Sequence, residues 1–131
     1  MIWPSNSVLR MPILEIEIVL KPAESLPQGL AGELADAAGL VFGSGPGGTW
    51  VRLKSLPAEH YAENGSPPDI YPVFVSVLKA RHTSTEETVV EVIRLTQLVA
   101  RLCARPAENV HIIYLPEATG RVAFGGQLLT E

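Results

Sequence analysis

With 131 residues, 47% of them apolar and 18% charged, the chain has the composition of one globular domain and not that of a disordered segment. A net charge of −4 excludes a basic footprint for nucleic acid or an anionic membrane surface, and a single cysteine, Cys103, excludes an internal disulfide. No window approaches about 20 consecutive apolar residues, so no membrane span is expected. The opening MIWPSNSVLR has neither the charged start nor the apolar centre of a signal peptide, so a cytoplasmic location is the expectation.

Residues 1–10 read as an N-terminal extension. ILEIEIV then alternates apolar and acidic residues, which predicts a half-buried strand with Ile16 and Ile18 on one face and Glu15 and Glu17 on the other. Leu26, Leu30, Leu34, Ala37, Ala38 and Val41 recur at helical spacing. Ser25 is placed to cap that helix, Pro27 to sit in its first turn and Gly43 to end it. SGPGG reads as a loop, TWVRLKSL as a second strand, PAEHYAENGSPPD as a turn-rich link and PVFVSVLKA as a third strand. Ser84 and Glu87 form a capping box for a second helix running to about Cys103, with Glu87, Glu91, Arg94, Arg101 and Arg105 on a solvated face and Pro106 as its breaker. VHIIYL is a fourth strand, and GRVAFGGQLL closes the chain through a glycine-rich turn and a last short strand.

The same order of elements occurs twice. Pro12 opens the first strand and Pro72 the third, and VRLKSLP (51–57) lies over VHIIYLP (110–116), so that Arg52 matches His111. A period of about 60 residues is that of a duplicated supersecondary unit. The predicted fold class is α+β: duplicated β-α-β units forming a four-stranded mixed sheet with two helices on one face, plus short extra strands. Unit one spans 11–65 and unit two 71–131, within a single domain over 11–131. Nothing remains in the chain to cover the second sheet face, which predicts self-association.

Chemistry-bearing residues are few. His60, His82 and His111 lack metal-ligand spacing, so no metal is expected. GSGPGG lacks the Lys-Ser/Thr of a phosphate loop, and no cofactor is expected. Cys103 falls in an apolar helical pattern and reads as a structural thiol.

The duplicated architecture, the strand-initial proline behind Met11 and the ending GRVAFGG together resemble the tautomerase superfamily over residues 11–131, which includes 4-oxalocrotonate tautomerase, whose subunit is one β-α-β unit, and fused two-unit members such as macrophage migration inhibitory factor and malonate semialdehyde decarboxylase. The resemblance implies a homotrimer with a barrel-like assembly of sheets and sites between subunits. It implies a small keto or enol acid as substrate, an isomerase activity, and an N-terminal proline as base; the matching residue is Pro12. A free proline nitrogen is a secondary amine. An ordinary α-amino group titrates near ~8, and an apolar pocket with neighbouring cations lowers that value. Such an amine is a good base for a proton α to a carbonyl. Inside a chain the same nitrogen is an amide without basicity.

By the same resemblance Arg52 binds the substrate carboxylate and polarises the carbonyl, a task suited to a guanidinium. His111 takes the matching place in unit two, Lys79 and Arg81 resemble the basic pair of the decarboxylase branch, and Phe124 matches an aromatic lining the pocket. Lys21-Pro22 stands where the small tautomerases carry Gly-Arg, so one substrate-binding arginine is missing. Two other outcomes stay open: a decarboxylase or dehalogenase of the same superfamily, and a non-catalytic homotrimer in which the extension, with its Ile2-Trp3, blocks Pro12.

Overall fold

The computed structural model describes residues 11–65 and 69–130; the extension over 1–10 lies outside them. In chain order the elements are β1 (Ile13–Val19), α1 (Leu30–Phe42), β2 (Trp50–Leu56), β3 (Val73–Leu78), α2 (Thr85–Cys103), β4 (Val110–Tyr114), β5 (Ala123–Phe124) and β6 (Gln127–Leu128). The four long strands form one sheet in the order β2-β1-β3-β4. β1 runs parallel to β2 and β3 parallel to β4, while β1 and β3 pair antiparallel at the centre. This is the expected duplicated β-α-β arrangement with a mixed sheet, and the sheet does not close within one chain.

Alternation decides which face is buried. Leu14, Ile16 and Ile18 of β1 and Val73, Val75 and Val77 of β3 are fully buried, packed against Leu30, Leu34 and Ala38 of α1 and Leu95, Leu98 and Val99 of α2. Burying each Leu, Ile or Val side chain stabilises by about 1.5–3 kcal/mol, which holds both helices on the same side of the sheet. Glu15, Glu17, Arg52, Lys54, Ser76, His111 and Ile113 occupy the alternate positions on the other face. Among the described residues, the apolar cover of that face gathers at the end where β1 starts. There Met11, Ala80, Ala118, Phe124 and Leu129 form a second apolar cluster, with Ile13, Trp50 and Leu78 against it.

Three local readings change. The first helix begins at Leu30, not near Ser25: Gly29 is the N-cap, its φ of 83° is incompatible with a preceding helical turn, and no side chain caps it. Pro27 therefore lies in the turn ahead of the helix. The second concerns the repeat. Leu14 pairs with Val51 and Val73 with Val110, and all four belong to the helix-side core or pack against it. Aligning VRLKSLP with VHIIYLP thus makes Tyr71, not Pro72, the counterpart of Pro12, because a one-residue slip would turn every side chain to the wrong face. The third concerns the solvated face of α2. Glu91 is half-buried and paired, and Arg105 lies beyond the helix end with its side chain 1% exposed. Ala104, at φ 55°, turns the chain so that Arg105 points back under the sheet.

The other boundaries follow the expected signals. Ser84 Oγ accepts the Glu87 N–H at 3.2 Å and donates to Glu87 Oε1 at 3.0 Å, capping α2. Gly43 ends α1. Gly125 and Gly126, at φ 58° and 90°, make the tight turn between β5 and β6 that only glycine adopts without strain. No helix among the described residues is long and apolar enough to cross a membrane.

Candidate functional site

Pro12 immediately precedes β1. Its side chain is fully buried, and its carbonyl accepts the Trp50 N–H at 3.1 Å, which ties it to the start of β2. It lines a pocket of about 320 Å³ together with Phe42, Lys79, Arg81, Glu87 and Glu91. Four elements meet here: the start of β1, the last residue of α1, the chain leaving β3, and the first two turns of α2. The Lys79 and Ala80 carbonyls accept the N–H groups of Ala118 at 2.8 Å and Thr119 at 3.3 Å, so the segment that carries both basic residues is held by the chain after β4.

Lys79 and Arg81 both face this pocket, as their two-residue spacing requires, but their surroundings differ. Lys79 Nζ lies 2.9 and 3.2 Å from the two carboxylate oxygens of Glu91. The side chains of this pair are 12% and 15% exposed. Tyr114 donates its hydroxyl to Glu91 Oε1 at 2.8 Å. Burial, and then the bond to Glu91, push the Tyr114 phenol well above its usual range, so it stays a donor. The Phe42 ring lies beneath the ammonium, its centroid 5.6 Å from Nζ. Arg81 is exposed and has no hydrogen-bond or ion-pair partner among the described residues.

The remaining predicted residues lie elsewhere in the protomer. Arg52 stands on the open sheet face beside Glu15, with Nη1 at 3.3 Å from Oε2, while Lys54 reaches the other oxygen at 3.2 Å. Pro12 lines a pocket on the helix side, so Arg52 and Pro12 do not meet within one chain. His111 is exposed on the same open face, 5.5 Å from the Phe74 ring, which in turn lies 5.9 Å from Tyr61. Phe124 is buried against the edge of Trp50 at 5.5 Å, in the second apolar cluster with Met11, and is not among the pocket residues. Glu91, Tyr114 and Phe42 were not singled out by sequence reasoning as site residues. The signal for Glu91 was its place one helical turn after the capping Glu87, on the same face.

A wider, more apolar groove of about 440 Å³ lies on the other flank of α2, lined by Val89, Val92, Ile93 and Tyr114. It lacks the charges of the Pro12 pocket, and Thr83 borders both. Cys103 is buried, and burial pushes its thiol up to about 11, which makes it a poor nucleophile.

The two-unit β-α-β architecture can be compared with known proteins. No protein-family model matches the sequence, and no curated protein matches it. Solved structures do. MIF2 from Leishmania major is 18% identical over 90% of this chain and 97% of its own, with a TM-score of 0.69. A fused 4-OT described as a symmetric trimer is 16% identical over 89% of this chain and 94% of its own, at 0.73. Pt0534, solved after inactivation by 2-oxo-3-pentynoate, is 17% identical over 89% and 94%, also at 0.73. At these identities the likeness is one of fold.

Proposed function

We propose that the protein is a tautomerase-type isomerase acting as a homotrimer. It moves a proton between carbon and oxygen of a small 2-oxo or dienol carboxylate, with the Pro12 amine as base and acid once Pro12 is the first residue of the mature chain. The observation that carries this reading is that the buried Pro12 shares its pocket with two cationic side chains, Lys79 and Arg81. Burial and those cations disfavour the protonated amine, leaving it free to take a proton α to the carbonyl. The cations hold the carboxylate and the oxygen on which charge develops. Arg52 belongs, in this reading, to a neighbouring subunit's pocket. It lies on the edge strand β2, 67% exposed, and an exposed pair with Glu15 holds it by only about 0–1 kcal/mol. His111 and Phe124 are supporting residues, His111 near a subunit contact and Phe124 behind Trp50. A cytoplasmic setting fits this reading.

The intact mass of the protein from its native host is the primary test: a chain starting at Pro12 supports the reading, and one still starting at Met1 overturns it. With the amine free, Pro12→Ala removes most phenylpyruvate enol–keto activity; unchanged rates refute the mechanism. A stable monomer in sedimentation refutes the trimer.

One observation favours a second reading. Met11 is 8% exposed and packs with Ala80 and Phe124, as it would in a chain that keeps the residues before Pro12. Pro12 is then an amide, and the protein is a non-catalytic homotrimer of the same fold. A substrate screen separates isomerisation from decarboxylation and dehalogenation.

A further inference from the structure

We infer that the two basic residues of the Pro12 pocket do different work, and that Glu91 sets the difference: it is a positioning residue that fixes the Lys79 ammonium against the substrate's carbonyl oxygen, while Arg81 takes the carboxylate. This rests on the proton-transfer reading above. An ammonium with three donors, already facing two carboxylate oxygens at 2.9 and 3.2 Å, carries little net charge to offer a second carboxylate. Arg81, without a partner among the described residues, keeps its full charge and its bidentate fork for that purpose.

Geometry gives Lys79 the other task. Glu91 and the Phe42 ring confine Nζ from two sides, and Tyr114, donating at 2.8 Å, fixes the Glu91 carboxylate in turn. The remaining N–H of Lys79 is a donor of fixed position in a pocket where little water screens it. Such a donor is worth most where negative charge appears during the reaction, at the carbonyl oxygen turning enolate. The proton balance is simple. The Pro12 amine takes the α-proton, the electron pair moves onto oxygen, Lys79 stabilises that oxygen by a hydrogen bond without giving up its proton, and the protonated Pro12 returns the proton to the same oxygen to give the enol, the ketone forming by the reverse sequence.

The test uses protein made in its own host, with initial rates on phenylpyruvate. Arg81→Gln should raise KM about tenfold or more with kcat within about threefold, the pattern of lost uniform binding. Glu91→Gln should lower kcat about tenfold or more with KM within about threefold, and Tyr114→Phe should move the same way by less. Lys79→Met should match Glu91→Gln, and the double variant should be no worse than either single one, because the two act as a unit. Where Glu91→Gln fails to fold, the charge-free pair Lys79→Met with Glu91→Leu replaces it and should show the same loss of kcat. A Glu91→Gln enzyme with wild-type kcat, a change in KM alone, or fully additive Lys79 and Glu91 losses overturns the inference and leaves the proton-transfer reading intact. A wild-type protein without turnover overturns both.

Discussion

Replacing Arg105 by Ala removes the centre of a buried clamp at the end of the molecule opposite the pocket. Its guanidinium meets both oxygens of Glu24, at 2.7 and 3.1 Å. It also donates to the carbonyls of Val19 at 2.9 Å, Tyr71 at 2.8 Å and Cys103 at 3.1 Å. One side chain thus ties the end of β1, the chain entering β3, the end of α2 and the loop before α1. Breaking a buried ion pair by removing one partner costs about 3–5 kcal/mol. Glu24 remains 24% exposed, so water recovers part of its loss, but orphaned carbonyls add about 1–3 kcal/mol each if they stay dry. Arg105→Ala should therefore lower unfolding stability by about 3–5 kcal/mol, and Glu24→Gln, which keeps an acceptor, by about 1.5–3 kcal/mol. Urea unfolding followed by circular dichroism measures both. A loss below about 1 kcal/mol for Arg105→Ala would falsify the clamp.

The same clamp has a pH signature. The hydrogen bond from Arg105 holds the Glu24 carboxyl below its ordinary value of 4.5, with burial acting against it. Because the folded value is the lower one, the unfolded chain binds the proton first on acidification. The stabilisation is complete above 4.5 and is lost as pH falls through the lower folded value. Glu24→Gln should flatten that part of the stability–pH curve; an unchanged acid limb refutes the assignment.

Ser84→Ala should cost about 1 kcal/mol in unfolding free energy by removing the cap of α2, and no change would mean that the first turn is held by packing alone. Ala104→Gly should stabilise the fold by up to about 1 kcal/mol, because Ala104 holds a left-handed φ of 55° that glycine adopts freely; destabilisation in the same urea titration contradicts this. The Cys103 thiol, raised to about 11, should react with a thiol reagent at pH 8 far more slowly in the native protein than in denaturant, and equal rates exclude its burial.

Where short-range physics suffices, the chain is legible. The alternation of ILEIEIV assigns Ile16 and Ile18 to the core and Glu15 and Glu17 to the other face, and Ser84 with Glu87 marks the start of α2. The order of elements, repeated, yields the mixed sheet with both helices on one face. The meeting of Pro12 with Lys79 and Arg81 is not of this kind, because it needs the antiparallel pairing of β1 with β3 that brings the start of one strand to the end of the other.

Apart from the start of α1, what the sequence left undecided depends on contacts between residues far apart in the chain. Gly29, not Ser25, opens α1, because one left-handed residue outweighs a favourable cap four residues earlier. The slip between Pro12 and Pro72 appears only once Val73 is seen paired with Val110 on the buried face. Arg105 looks like one more surface charge until its partner, Glu24, is brought up from 81 residues away. Glu91 likewise reads as solvated until Lys79 and Tyr114 converge on it. Strand alternation and the Ser84 cap depend on neighbours within a few residues and were legible in the chain itself. The pairing of buried charges is a property of three-dimensional placement, since only burial makes it necessary and only the assembled sheet supplies the partner.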